Sequence, residues 1–414
     1  MAGLACATWL HRAGRPVLLL EAEDAVGGRV RTDITSDGYR LDRGFQVLLT
    51  DYPEARRLFD YGALNLQTFR SGATIRLANG EQTTLENPWQ RPLAAVSALA
   101  SPIGTLTDKM RLLSMVRHVQ TRTPEELLAR PSTDTLTFLR RYGWSEQIID
   151  SFFRPFFGGV FLDRELMTAS NFFEFVFQQF VRGEAAIPAL GMQQLPEQLA
   201  ARLPAGALRL NTRVTAIESQ AGGYLVRLAS GDPLAAGTVV LAVDGSVPGH
   251  LLPGANLPEQ GHQVGANRTT CTYFGAEGHS PGRGDKLLRL NAIPTALAHN
   301  VAFPADVSRH YAPHGHSLVS VSTHGSAHDL SESDLTDRLR AELIPWFGSR
   351  VRDWKHLRTY EIRNALPEYS AGTPPRQPLK IGENLYRCGD WAAYPSLNAA
   401  LATGREVAEM LAVG

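Results

Sequence analysis

The sequence predicts an α/β protein in which a parallel sheet flanked by helices is interrupted by a second part of α+β structure. Two observations at opposite ends of the chain carry this prediction. Near the start, a helix of small residues leads into an apolar strand that closes on an acid, and a Gly-Gly-Arg segment follows. Near the end, an apolar strand leads through a Gly-Asp turn into another helix of small residues. We therefore expect the two ends of the chain to belong to one domain.

Residues 1–29 have the pattern of the second half of a βαβ unit that binds a dinucleotide. A helix of small residues from about Gly3 ends before Gly14, and the apolar strand Pro16–Leu20 follows. Glu21 closes this strand, 18 residues after Gly3, where a carboxylate accepts a hydrogen bond from a ribose hydroxyl. Gly3 stands where the third glycine of a G-x-G-x-x-G turn falls and lets the helix pack on the strand.

The first strand of such a unit and the first two glycines of its turn are missing from the sequence as it stands. A sheet without that strand has unpaired ladder groups, and no Gly-x-Gly turn wraps a pyrophosphate. We therefore expect an N-terminally truncated reading of a longer protein, whether the truncation is real or a start-site error. The upstream frame is expected to encode roughly ten to fifteen residues, forming an apolar strand that ends in Gly-x-Gly.

Gly27, Gly28 and Arg29 come shortly after the acid. Two glycines allow a ligand to approach the backbone closely, and an arginine beside them can face a phosphate or a flavin edge. Taken alone, Gly3 and Glu21 also suit ordinary helix packing and an exposed strand end. The Gly-Gly-Arg segment favours the ligand site.

Periodicity and capping residues predict the elements between these motifs. The segment Ala73–Glu81 is expected to form a hairpin with Asn79-Gly80 at its turn. Helices are predicted over Leu106–Val119, Thr133–Tyr142 with Ser132 as its cap, Glu146–Phe157 and Asn171–Val181. Strands are predicted over Leu208–Leu210, Arg213–Glu218, Gly223–Leu228 and Thr238–Val243, with further strands in 265–325. The chain closes with an amphipathic helix Ser331–Phe347 that has Asp334 at capping-box spacing, a strand Asn384–Cys388 and a helix Ser396–Leu411.

Several of these segments resemble one family. Leu20-Glu21-Ala22 and Gly27-Gly28-Arg29 resemble the second-strand signature of the flavin-containing amine oxidase, phytoene desaturase and protoporphyrinogen oxidase superfamily. Asp42-Arg43-Gly44-Phe45-Gln46 is similar to its D-x-G segment under the isoalloxazine, and Cys388–Trp391 with Pro395–Arg405 to its C-terminal flavin motif. The resemblance implies an interrupted Rossmann-like FAD-binding domain, here without its first strand, and an α+β substrate domain.

The resemblance also implies noncovalent FAD as the cofactor, because Ala365–Ser370 holds no cysteine or histidine for a covalent link. Asp390 would accept hydroxyl hydrogen bonds, and the helix from Ser396 would aim N–H groups at the pyrimidine edge, where they stabilise negative charge. Val214 would meet the adenine through its backbone; it also suits a plain buried strand. The expected cofactor-binding residues are Gly3, Glu21, Gly27, Gly28, Arg29, Asp42, Gly44, Phe45, Val214, Gly389, Asp390, Ser396, Leu397 and Asn398.

These expectations divide the chain into alternating parts. The FAD-binding domain comprises 1–70, 206–255 and 376–414. A helix-rich first part of the substrate domain occupies 71–205, and its second part occupies 256–375.

Composition excludes some classes of partner. The charges balance, with 41 basic and 41 acidic residues, so nothing indicates a nucleic-acid partner. Cys6, Cys271 and Cys388 have neither metal-ligand nor C-x-x-C spacing, so no metal is expected and a reducing cytoplasm fits. The apolar N-terminal stretch lacks the basic start of a signal peptide, and no uncharged span is long enough for a transmembrane helix. We expect a cytoplasmic protein, with peripheral membrane contact as an alternative.

Ten of the 17 phenylalanines lie in Phe152–Phe180, many at helical spacing. Core packing between helices accounts for this pattern, and so does the wall of a pocket for an apolar substrate. The strand Asn267–Phe274 offers no lysine near the flavin N5, and Ser396 stands where many amine oxidases have an aromatic residue. The Leu-Pro-x-Tyr element at 366–369 is similar to that of protoporphyrinogen oxidases.

These departures favour an oxidoreductase of the desaturase or porphyrinogen oxidase type, which takes a hydride from a lipophilic molecule into flavin N5. A flavin amine oxidase, a carotenoid isomerase that uses reduced flavin, and a flavin-free binding protein are the alternatives. The sequence assigns no catalytic acid or base, and it leaves the substrate, the electron acceptor and the oligomeric state open.

Overall fold

The computed structural model describes residues 1–86, 101–252 and 265–413. Its helices include the predicted ones, close to their predicted positions, and several short ones that were not predicted from the sequence. They are α1 (Ala2–Arg12), α2 (Pro53–Leu58), α3 (Leu106–Gln120), α4 (Pro124–Leu128), α5 (Thr135–Tyr142), α6 (Glu146–Ile148), α7 (Arg154–Phe161), α8 (Ser170–Arg182), α9 (Gln194–Ala200), α10 (Pro248–Leu251), α11 (Pro304–Val307), α12 (Glu332–Phe347) and α13 (Leu397–Val413).

Strands alternate with these helices along the chain. They are β1 (Leu19–Leu20), β2 (Thr32–Ile34), β3 (Arg40–Asp42), β4 (Leu48–Leu49), β5 (Gln67–Thr68), β6 (Gly72–Arg76), β7 (Gln82–Glu86), β8 (Ala185–Ile187), β9 (Leu208–Arg209), β10 (Val214–Gln220), β11 (Gly223–Leu228), β12 (Leu234–Ala236), β13 (Val239–Leu241), β14 (Ala266–Glu277), β15 (Leu288–Asn291), β16 (Ala298–Ala302), β17 (His316–Thr323), β18 (Lys355–Pro367), β19 (Lys380–Gly382) and β20 (Leu385–Arg387).

Parallel strands lie beside the N-terminal helix, as the sequence predicts. β1 pairs in parallel with β9, and β13 pairs in parallel with β20, in two separate ladders. A Cβ on Gly3 of α1 would lie 3.0 Å from Ala242 Cβ and 3.2 Å from Leu19 Cδ1. The glycine therefore lets α1 pack closely against residues of both ladders. The predicted strand Pro16–Leu20 is shorter than expected, because only Leu19 and Leu20 pair with β9.

The largest sheet has seven strands in the order β18-β14-β17-β16-β15-β6-β7. Leu335, Leu339 and Leu343 of α12 pack against Phe274 and Val319 on one face of this sheet. The helix begins as predicted, since the Ser331 hydroxyl accepts the backbone N–H of Asp334 at 3.1 Å. The other face belongs to the main core.

The phenylalanine-rich segment forms the centre of that core. The predicted helix Glu146–Phe157 is longer and passes through a π-helical turn at Ile149–Phe153 before α7. The Phe157 and Phe173 rings lie 4.7 Å apart between α7 and α8. Within Phe152–Phe180, the phenylalanines that are at most 7% exposed are Phe153, Phe157, Phe161, Phe172, Phe173, Phe175 and Phe177. Core packing thus accounts for most of the cluster.

The predicted cap of α5 is wrong. Asp134 caps this helix by accepting the N–H of Thr137 at 2.7 Å, so the helix begins at Thr135. The Ser132 hydroxyl instead accepts the N–H of Gly372 at 3.1 Å. A carboxylate one residue before the helix is in reach of the free N–H groups, which Ser132 is not.

The hairpin predicted at residues 73–81 is present with Asn79-Gly80 in its loop, but it is longer than predicted, because its second strand is β7 at Gln82–Glu86. Among the described residues, no helix is long and apolar enough to cross a membrane.

Candidate functional site

An ion pair joins the two ends of the chain. The Arg29 guanidinium donates to the Asp390 carboxylate at 2.7 Å, across 361 residues of sequence, and to the Ala365 carbonyl at 2.8 Å. Asp390 is 5% exposed, and its negative charge raises the pKa of Arg29. The pair therefore brings together the Gly-Gly-Arg segment, the C-terminal Gly-Asp turn and the end of β18.

Of the two glycines before Arg29, Gly27 is buried and Gly28 has an exposed backbone. Both have positive φ angles, +123° for Gly27 and +62° for Gly28. A side chain at Gly27 would overlap the Val30 carbonyl, whereas a Cβ on Gly28 would meet no heavy atom within 4 Å. Gly28 lines an open cleft of about 520 Å³, together with Arg29 and Tyr360. This exposed backbone beside an arginine fits the approach of a phosphate group or a flavin ring.

The start of α13 lies next to Asp390. Ser396 caps the helix, because its hydroxyl accepts the N–H of Ala399 at 3.0 Å. The N–H groups of Leu397 and Asn398, in the first turn, have no partner within the helix. Such N–H groups suit an electron-rich ligand edge. The Leu397 side chain packs against the main core.

The turn before α13 requires a glycine. Gly389 has a φ of +156°, and a Cβ there would lie 2.5 Å from Trp391 Nε1. Its N–H donates to the Thr403 hydroxyl at 3.0 Å, which ties the turn to the middle of α13.

The Asn398 side chain faces the protein. Its oxygen accepts the N–H of Glu54 at 2.9 Å, and its nitrogen donates to the Tyr394 hydroxyl at 2.9 Å. Because both polar atoms of the side chain bond to protein groups, the backbone N–H of Asn398 is the group that can bind a ligand.

The D-x-G segment packs against β18 and Phe69. Gly44 has a φ of +107°, and a Cβ there would lie 2.7 Å from Ile362 Cδ1 on β18. The Phe45 ring meets Phe69 edge to face, with 5.9 Å between the centroids. The sequence predicts Asp42 as a cofactor-binding residue, but its carboxyl group is buried and bonded to protein donors.

The expected adenine end lies around β1. Glu21 follows this strand, and its carboxylate accepts the N–H of Glu23 at 3.0 Å. The Glu21 carbonyl accepts the N–H of Thr212 at 2.8 Å, which brings Val214 at the start of β10 close to the acid. A bulge between Val214 and Ala216 interrupts the pairing of β10 with β11.

Sequence reasoning missed several side chains that hold these segments together. Gln46 donates to the Arg29 carbonyl at 2.8 Å, and Arg405 binds the Glu54 carboxylate through two nitrogens at 2.9 and 3.1 Å. Asp33 accepts hydrogen bonds from Arg43 and from the Tyr360 hydroxyl in the cleft. Gln46 lies in the D-x-G segment and Arg405 in the C-terminal flavin motif, so the sequence could have indicated both. Nothing in the sequence links Asp33 to Tyr360.

Comparisons with known proteins identify relatives of this chain. A sequence profile of flavin containing amine oxidoreductases matches residues 1–412. The chain is similar to putrescine oxidase of Kocuria rosea, with 28% identity over 291 residues, covering 64% of this chain and 59% of that protein. It is also similar to phytoene dehydrogenase of Streptomyces griseus, with 28% identity over 281 residues, covering 61% and 54%. The matches thus span little more than half of these curated relatives.

Among solved structures, wild-type putrescine oxidase bound to putrescine has a similar fold. The TM-score is 0.75 with 19% sequence identity, and the match covers 100% of this chain and 97% of that one.

Proposed function

Since the match over residues 1–412 shows that the chain belongs to the flavin-containing amine oxidoreductase family, we propose that it is an oxidoreductase that holds FAD without a covalent bond. Bound flavin accepts a hydride from the substrate. The segment Ala365–Ser370 has no cysteine or histidine. The three cysteines, Cys6, Cys271 and Cys388, are buried. These observations support a noncovalent cofactor.

The ion pair between Arg29 and Asp390 is the observation that carries the proposal. It holds the exposed backbone at Gly28 beside the start of α13. In this arrangement Arg29 would face the pyrophosphate, and Asp390 would accept hydrogen bonds from sugar-alcohol hydroxyls. The N–H groups at the start of α13 would stabilise negative charge on the pyrimidine edge. Glu21 would bind a ribose hydroxyl.

We infer an apolar substrate, such as a polyene or a tetrapyrrole-like molecule. Seven phenylalanines are committed to the core, but Phe152, Phe156 and Phe180 are only partly buried at its edge. Phe156 stacks with Phe152, with 5.6 Å between the ring centroids, and meets Phe180 at 5.0 Å. These rings offer an apolar surface. Oxidation of amines is the second candidate, and the similarity to putrescine oxidase favours it.

The exposed side of α3 supports a peripheral membrane contact through which a lipophilic substrate would arrive. Leu106, Met110 and Leu113 recur at helical spacing and are 67%, 66% and 59% exposed. Arg117 continues the same side one turn further and can face anionic headgroups.

Anaerobic reduction of the FAD-loaded protein tests the function. Loss of the yellow flavin absorbance with a polyene or a porphyrinogen, and not with putrescine or benzylamine, is the expected result. Rapid reduction by the amines alone would establish the second candidate. Geometric isomerisation of a polyene by the reduced protein, without net oxidation, would indicate an isomerase. A protein that stays colourless with excess FAD would contradict the proposal.

A further inference from the structure

The Asp42 carboxyl group is buried at the end of β3 with three hydrogen-bond donors around it. One oxygen accepts the Thr32 hydroxyl at 2.5 Å and the Met192 N–H at 3.0 Å, and the other accepts the Tyr311 hydroxyl at 2.8 Å. Asp42 is 5% exposed and Tyr311 is 1% exposed. The donors come from β2, from the turn before α9 and from the turn before β17, so three separate parts of the chain meet on this one group.

The backbone of the same residue is held by the large sheet. The Tyr273 hydroxyl on β14 donates to the Asp42 carbonyl at 2.9 Å. Beside it, the Cys271 sulfur lies 3.3 Å from the Ser320 hydroxyl, and its pKa is raised to about 11 by burial. Asp42 therefore fixes the start of the D-x-G segment against the seven-stranded sheet.

No cation faces this carboxyl group among the described residues that contact it. The nearest basic side chain on its own strand, Arg40, donates instead to the His310 carbonyl at 2.6 Å. The neighbours Tyr311, Tyr273 and Cys271 have pKa values raised by burial, so they are neutral over the ordinary pH range. Asp42 is thus the group in this cluster whose charge can change.

We propose that Asp42, as a carboxylate, is a positioning residue that holds residues 43–46 in the geometry in which they face the flavin. A carboxylate offers only acceptors and can take all three donors. A protonated carboxyl group must donate one hydrogen bond itself, and the Met192 N–H cannot reverse its role. Protonation therefore forces the hydroxyl of Thr32 or Tyr311 to change from donor to acceptor, and this rearrangement loosens the segment. The inference rests on the proposed function, because it needs a flavin beside Gly44 and Phe45.

Burial raises the pKa of Asp42 to about 6, against the lowering effect of its three hydrogen bonds. Flavin affinity is therefore expected to fall as the pH drops through about 6. Above about pH 6 the Asp42 carboxylate holds residues 43–46 in place. Below that pH the hydrogen bonds around the protonated carboxyl group rearrange.

FAD titrations between pH 5 and 8 test this, with wild type compared with Asp42→Asn. The wild type should lose affinity about tenfold at low pH. Asp42→Asn, whose amide puts a donor against a donor, should bind about tenfold more weakly at pH 7.5 and show no such pH dependence. Asp37→Asn removes an exposed carboxylate of the same hairpin and should match the wild type in both respects.

If Asp42→Asn does not fold, Tyr311→Phe takes its place as the test variant. This substitution removes one hydroxyl from the cluster and leaves Asp42 itself unchanged. Tyr311→Phe should raise the pH at which FAD affinity falls to half its range, since it removes a hydrogen bond that favours the carboxylate. A readout without flavin is the infrared band of a protonated carboxyl group, which should appear below pH 6 in the wild type and be absent from Asp42→Asn. Equal affinities and equal pH profiles in wild type and Asp42→Asn would overturn the positioning role. Wild type that binds no FAD at any pH would instead overturn the proposed function.

Discussion

The side-chain oxygen of Asn398 accepts the backbone N–H of Glu54 at 2.9 Å, so the first turn of α13 holds the first turn of α2. Arg405, two turns further along α13, binds the Glu54 carboxylate. These two residues on α13 hold one residue of α2 through its backbone and its side chain. The segment between Asp42 and α2 is therefore fixed at one end by Asp42 and at the other by α13.

Replacing Asn398 by alanine is expected to lower the free energy of unfolding by about 1–3 kcal/mol, because it leaves a buried N–H and the Tyr394 hydroxyl without their partner. Urea unfolding of the protein measures this. Asn398→Asp keeps an acceptor for Glu54 and should lose less stability. Equal midpoints for wild type and Asn398→Ala would show that the contact contributes nothing.

Replacing Arg29 by glutamine should weaken FAD binding by about 10- to 100-fold, since the buried Asp390 loses its counter-ion and the phosphate loses a charged donor. The dissociation constant from flavin absorbance is the measurement. Arg56→Gln breaks the exposed pair between Arg56 and Asp51 and serves as the control. If both variants bind FAD as the wild type does, the ion pair is not part of the cofactor site.

The stability of the flavin-free protein should also depend on Asp42. Its folded pKa of about 6 lies above its ordinary value of 3.8, so between these values the folded chain keeps a proton that the unfolded chain has released. The bound proton stabilises the folded chain fully below pH 4, and this stabilisation is lost as the pH rises through 6. The carboxylate that we propose orders residues 43–46 therefore does so at a cost in global stability. Over this interval the wild type should lose roughly 3 kcal/mol more than Asp42→Asn. Denaturant unfolding at pH 4, 5, 6 and 7 measures the difference, and parallel curves would contradict it.

The exposed side of α3, with Leu106, Met110 and Leu113, leads to a separate prediction. Met110→Asp and Leu113→Asp should reduce sedimentation with vesicles that contain anionic lipid, because each removes apolar surface and adds a repelled charge. Ile34→Asp changes an equally exposed apolar residue elsewhere, 65% exposed on β2, and should have no effect. Wild type that stays in the supernatant with every vesicle composition would disprove the membrane contact.

Local patterns predicted the longer helices and the strand and helix near each end of the chain, because glycines and apolar periodicity act over a few residues. The pairing of Thr32 with Asp42 could also have been predicted, since Gly38 at the third position of a three-residue hairpin loop, Ser36–Gly38, sets this register. Tyr311 could not, because a residue 269 positions away reaches Asp42 only through the packing of the large sheet. The role of the phenylalanines in Phe152–Phe180 could not be predicted either, because their helical spacing is identical for a core and for a pocket wall.

Glu21 is expected to select the ribose hydroxyl of the cofactor. Its carboxylate follows β1 and has one backbone hydrogen bond, from Glu23, so its other oxygen can accept from a ligand. Glu21→Arg should weaken FAD binding by about 1.5–3 kcal/mol, because a charge-assisted hydrogen bond is lost and a cation takes its place. Glu23→Arg changes the neighbouring exposed acid by the same charge and should have little effect, since Glu23 pairs with Arg213 at the surface. Equal losses in the two variants would mean that overall charge, and not a bond to the ribose, sets the affinity. An unchanged dissociation constant in Glu21→Arg would place the adenine end of the cofactor elsewhere.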